Sequence, residues 1–136
     1  MFEILEHTAD IGILARGATR EEMFEEAAAA LVSVSVDPAA IEPRAVFPIA
    51  ASGEDAESLL VNWLSEVLYY LDARRVVFGR FRVDRLTERE AAGQAWGEPR
   101  DARRHPPRVI VKGVTYHQLR IREFEGGFEA RVFLDI

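Results

Sequence analysis

The sequence predicts an α+β fold, with two helices packed on one face of a mainly antiparallel sheet, in a single domain over residues 1–136. Three observations predict it. Leu59, Leu60, Trp63, Leu64, Val67, Leu68 and Leu71 recur at helical spacing. Phe128, Ala130, Val132, Leu134 and Ile136 fall on every second position, as a half-buried strand requires. A chain of 136 residues with 49% hydrophobic and 29% charged residues suits one globular core and leaves no room for two full-sized ones.

The elements follow in order. Residues 2–16 read as two short strands around a polar interruption, Glu6-His7-Thr8-Ala9-Asp10, with Ile11, Ile13 and Ala15 alternating on the way out. Thr19-Arg20-Glu21-Glu22 reads as a capping box, in which a hydroxyl satisfies an orphan amide and a carboxylate returns the contact. Met23, Ala27, Ala30 and Val34 mark the helix that follows, which should stop near Val36 ahead of Pro38. Residues 41–51 hold Pro43 and Pro48 and suit an edge strand. The leucine-rich helix should begin near Glu54, with Glu54 and Asp55 in an acidic first turn and Arg74 and Arg75 in a basic last turn, matching the helix dipole. Val77 to Thr87 and Ala91 to Gly97 read as paired strands, 98–108 as a polar loop, Val109 to Glu123 as a long strand and Gly126-Gly127 as a hairpin turn. Neither face of that long strand is uniform, and a bulge at Gly113 would restore a consistent apolar face.

Composition narrows the chemistry. There is no cysteine, which removes thiol catalysis and thiolate metal sites and leaves oxygen and histidine ligands. The net charge of −6 makes a poor non-specific nucleic-acid binder, since phosphate contact relies on clustered cations. No stretch approaches the roughly 20 apolar residues of a membrane helix, and the N-terminus lacks the zones of a signal peptide, so no membrane contact and a cytoplasmic address are expected. Walker, dinucleotide, nucleophile-elbow, zincin and EF-hand motifs are all missing.

Strand parity singles out two acids. With Ile11, Ile13 and Ala15 inward, Asp10 points the other way, and Asp135 does the same in the last strand. If the two strands are neighbours, Asp10, Asp135 and the terminal carboxylate of Ile136 crowd together, near Glu6 or His7. Such crowding calls for a proton or a hard divalent cation with oxygen ligands. A solvated loop aspartate and another at a frayed end explain the same spacing. Lys112, Thr115, Tyr116 and His117 suit an anion or partner site, or a half-buried strand with local hydrogen bonds. The basic run around Arg103, Arg104 and Arg108 suits RNA phosphates, an acidic protein surface or a solvated loop.

Taken together, Glu6-His7-Thr8-Ala9-Asp10-Ile11-Gly12, Lys112-x-Val114-Thr115-Tyr116-His117 and Leu134-Asp135-Ile136 resemble the archease family. Leu59-Leu60-x-x-Trp63-Leu64 and Gly97-Glu98 followed by Asp101 and His105 support the match, which spans the chain in order; Gly113 departs from the alanine-like residue expected there. The resemblance implies a non-enzymatic accessory protein of a GTP-dependent tRNA-splicing RNA ligase, one that promotes the ligase's guanylylation and multiple turnover and meets RNA only indirectly. A chaperone-like role is also associated with the family. It further implies a divalent-cation site at Asp10, Asp135 and Ile136, for calcium first and magnesium or manganese as alternatives. Glu6, His7, Lys112, Thr115, Tyr116 and His117 would then contact the partner or support the site. Two other readings are a metal-dependent phosphoester hydrolase built on His7, Asp10, His117 and Asp135, and a general chaperone.

Overall fold

The computed structural model describes residues 1–6 and 10–136. In chain order the elements are β1 (Phe2–Glu6), β2 (Asp10–Gly17), α1 (Arg20–Ser35), a short 3-10 turn (Pro38–Ala40), β3 (Ala45–Ser52), α2 (Ala56–Asp72), β4 (Val76–Leu86), β5 (Glu90–Pro99), β6 (Gly113–Phe124) and β7 (Gly127–Asp135). The fold is α+β, and the strand pairings are antiparallel throughout. The strands divide into a four-stranded sheet, β1-β2-β7-β6, and a three-stranded one, β3-β5-β4. Each helix touches both sheets, α1 chiefly through β2 and β4, α2 through β3 and β6. Alternation assigns a strand its faces and not its neighbours, which is why one sheet was expected where two are found.

Side-chain caps start both helices. The Thr19 hydroxyl accepts from the Glu22 amide at 3.1 Å, while the Glu22 carboxylate accepts from Ala18 at 2.8 Å, one residue before the expected donor. Asp55 caps α2, accepting from the Ser58 amide at 2.8 Å, and its own amide donates to the Ser58 hydroxyl at 3.1 Å. Arg74 and Arg75 lie beyond the end of α2 and Glu54 lies before its start, so the acids that meet the helix dipole are the cap Asp55 and, in the first turn, Glu57. Ala27, Ala28 and Ala30 are fully buried on α1, and Trp63 is fully buried on α2. The Trp63 indole donates to the Phe24 carbonyl at 3.1 Å, so the one polar atom of that buried ring is paired. The Tyr70 hydroxyl donates to the Pro48 carbonyl at 2.9 Å and ties α2 to β3, which is the edge strand its prolines predict.

β4 shifts register against β5 after Phe78 and again after Val83. Gly97 and Gly93 stand opposite these shifts, where a Cβ would run into the Val77 and Arg82 carbonyls. Gly97→Ala is therefore expected to cost about 1–3 kcal/mol, read as a lower denaturation midpoint at unchanged slope.

β6 starts at Gly113 rather than Val109, and its irregularity is not at Gly113. It lies between Thr115 and Arg120, where five steps along β6 span two along β7, and Gln118 takes a φ of 51°. The protruding segment lets Val114 and Leu119 both pack against the core despite their odd spacing.

Candidate functional site

β2 and β7 lie side by side, with Ile11 opposite Leu134, Ile13 opposite Val132 and Ala15 opposite Ala130. All six side chains are buried on the core face. The same register sets Asp10 directly opposite Asp135, and Gly113 of β6 opposite Asp135 on its other side. A row of Asp10, Asp135 and Gly113 thus crosses three strands on the face turned from the core. Directly opposed residues have Cβ atoms about 4.5–5.5 Å apart, close enough for like charges to destabilise the pair. The Lys112 amide donates to the Asp135 carbonyl at 2.7 Å and clamps the end of β7 to the start of β6. Ile136 is half-buried against the core.

Asp135 is exposed, whereas Asp10 is half-buried and its Oδ1 is buried with no hydrogen-bond partner. Neither aspartate forms an ion pair with a described residue. A carboxylate oxygen withdrawn from water without a partner is costly unless a proton or cation meets it. The donor set, two carboxylates with all-oxygen chemistry, suits a hard divalent ion. A Cβ on Gly113 would meet nothing within 4 Å, so an alanine-like residue fits there and the departure at this position is sterically neutral.

The remaining predicted residues are distributed unevenly. Glu6 ends β1 opposite Ile11, and His7 lies outside the described residues. Thr115 stands opposite Phe133, and its Oγ1 accepts from the His117 amide at 3.2 Å. The exposed His117 ring sits edge-on to Phe133, 6.1 Å between centroids. Gly12 makes room on this face, since a Cβ there would come within 2.9 Å of the Phe133 ring. Lys112 and Tyr116 are exposed. Among the described residues no group of three His, Asp or Glu side chains gathers as a metal site. Of the quartet that a hydrolase would need, the described members leave His117 packed on an aromatic ring instead of joining the aspartates.

A second cluster gathers residues that the sequence shows only as part of the family resemblance, without their burial or their contacts. Glu98 and His105 are both buried, and His105 Nε2 lies 3.0 Å from a Glu98 oxygen. The Asp101 amide donates to His105 Nδ1 at 2.9 Å, so Nε2 carries the proton and donates to Glu98. Arg104 grips both Glu98 oxygens at 2.8 Å, the Glu42 amide donates at 2.9 Å and Arg44 approaches to 3.0 Å. Arg104 above all, then the Glu42 amide, hold the Glu98 carboxyl down to about 2 against the opposing pull of burial. The basic loop is therefore largely structural. Arg104 is spent on Glu98, and Arg108 donates to the Ser33 carbonyl at 3.1 Å, leaving Arg103 exposed. The available signal was a glutamate closing a strand, with a histidine and several arginines in the next seven residues.

Comparison with known proteins adds a family. The sequence model of the Archease protein family matches residues 2–136. Protein archease of Methanosarcina barkeri is 42% identical, over 99% of this chain and 95% of its own length. Its counterpart in Sulfolobus acidocaldarius is 39% identical, over 99% and 98%. The solution structure of Protein 1598 from Methanobacterium thermoautotrophicum aligns with a TM-score of 0.80 at 34% identity, covering 99% of this chain and 98% of that one. The crystal structure of an archease from Thermotoga maritima, described as a possible chaperone, aligns at 0.67 and 19% identity, a likeness of fold alone.

Proposed function

The chain belongs to the archease family, and on that premise we propose that it is a non-catalytic accessory protein that activates a GTP-dependent tRNA-splicing RNA ligase in the cytoplasm. It promotes guanylylation of the ligase and so sustains multiple turnover. The observation that carries this reading is the placement of Asp10 opposite Asp135 with Asp10 Oδ1 buried and unpartnered. Asp10, Asp135 and a main-chain or terminal oxygen of Ile136 would hold a divalent cation, calcium first. When bound, that ion would neutralise the facing carboxylates and offer positive charge to an oxygen of the nucleotide or the partner.

This chain's own residues do the rest. The Lys112 clamp and the half-buried Ile136 keep the end of β7 from fraying, so the two acids stay in register. Phe133, with Gly12 beneath and His117 at its edge, makes the adjoining surface rigid. The protruding segment carrying Tyr116 and His117 sets partner-contacting groups beside the acids. Exposed large apolar side chains such as Ile4, Val46, Tyr69 and Phe124 are scattered over different elements, which favours a specific partner over a general chaperone.

The test is to mix the purified chain with a GTP-dependent RNA ligase and follow guanylate transfer over several turnovers. The wild-type chain should multiply the turnovers, and Asp10→Ala or Asp135→Ala should abolish the gain while the fold persists. Full stimulation by either variant would refute the site. Phosphoester turnover by the chain alone would favour the hydrolase, and suppressed aggregation of unrelated clients, indifferent to loss of Asp10, would favour the chaperone.

A further inference from the structure

The ends of α1 and α2 and the loop after β5 enclose a cleft of about 340 Å³. Leu68, Leu71, Val109 and Val111 give it an apolar floor, and Ile110 stands 75% exposed at its edge. The rim carries Arg75, Arg100 and Asp72.

Arg75 is unusual. Its φ is 57°, in the left-handed region that is strained for a residue with a side chain and open to glycine. The Arg100 amide donates to the Arg75 carbonyl at 2.8 Å, so the two arginines are fixed to one another through the backbone. Neither guanidinium forms an ion pair with a described residue, unlike those of Arg104 and Arg108 in the same loop. A chain with net charge −6 thus holds two uncommitted cations over an apolar trough, one of them on strained backbone.

We propose that this cleft docks the ligase, taking an apolar side chain flanked by carboxylates on the ligase surface. The apolar group fills the floor, and the carboxylates meet Arg75 and Arg100 in charge-assisted hydrogen bonds. The proposal rests on the accessory-protein reading and extends it. Val109, Ile110 and Val111 line the cleft in succession, and the next residue, Lys112, is the one whose amide holds Asp135. A partner reaching the acidic row therefore lies next to the cleft. A polynucleotide would match the guanidiniums but not the floor, and Asp72 would repel it.

The experiment titrates the whole chain into a fixed amount of the ligase and reads guanylate transfer. Arg75→Gly and Arg100→Ala should each need about tenfold more chain for half-maximal stimulation while reaching the same plateau. Asp135→Ala should instead lose the plateau. Arg75→Gly should melt at or above the wild type, because glycine suits that φ, which separates lost docking from lost fold. Unchanged half-saturation in both variants, with wild-type stimulation intact, overturns the cleft and spares the functional reading. A wild-type chain that never stimulates overturns both. If the two substitutions weaken binding of a short RNA and leave the ligase titration unmoved, the occupant is nucleic acid and the proposal fails.

Discussion

Calcium at about a hundred times its Kd is expected to stabilise the chain by about 2.7 kcal/mol and raise its melting temperature by roughly 10 °C. The expectation follows from the row on the outer sheet face. Asp10 and Asp135 oppose one another across β2 and β7 with one oxygen buried and unpartnered. Folding works against that repulsion, and a cation bound only by the folded chain would remove it. Asp10→Asn should therefore do two things at once. It should erase the calcium-dependent shift, and without calcium it should melt at or above the wild type, since the like-charge pair is gone. Removing Ile136 should weaken the shift without inverting the metal-free comparison. Scanning calorimetry with calcium, magnesium and manganese in turn checks all of this, and a full calcium shift in the Asp10→Asn chain would place the ion elsewhere.

Glu98→Ala is expected to lower the melting temperature by more than about 10 °C, the largest single effect on the fold. Truncation takes the carboxylate from the Arg104 fork and leaves the Glu42 amide and the buried His105 Nε2–H without their acceptor, while the exposed Arg44 keeps Glu42. Glu98→Gln keeps the shape and one acceptor oxygen, so it should fall between the alanine variant and the wild type. The same cluster contributes to stability against acid. The folded carboxyl titrates at about 2 rather than its ordinary 4.5, so below 4.5 the unfolded chain binds the proton more readily. The contribution of Glu98 is fully present above pH 4.5 and drains away as pH falls through about 2. A pH series of denaturation midpoints should show that loss in the wild type, and the Glu98→Gln chain should lack it.

The sequence made some of this legible and hid the rest for physical reasons. α2 announced itself because Leu59 to Leu71 is a local pattern, whereas Asp55 reads in the sequence as part of an acidic first turn and proves to be the cap. The hairpin at Gly126 did likewise, with a φ of 99° that glycine tolerates. Parity set Asp10 and Asp135 on one face, since a strand's alternation is internal to it. That β2 and β7 are neighbours is a non-local fact, carried by the packing of six buried side chains and not by spacing. The displacement of the β6 bulge from Gly113 to the Thr115–Arg120 interval has the same origin, because the partner strand decides where surplus residues protrude. Glu98 was invisible as a core residue. A charged side chain is buried only where Glu42, Arg44 and Arg104 converge on it, and no window of sequence contains all of them.

The β2–β7 pairing also has a temporal consequence. β2 is synthesised long before its neighbour β7, so one of its edges stays open through most of synthesis. Only after residue 127 has emerged does that edge close and the two acids meet. A chain that stops short of β7 would keep that edge open and hold one acid of the pair without the other, and on the proposed reading would take up no ion there.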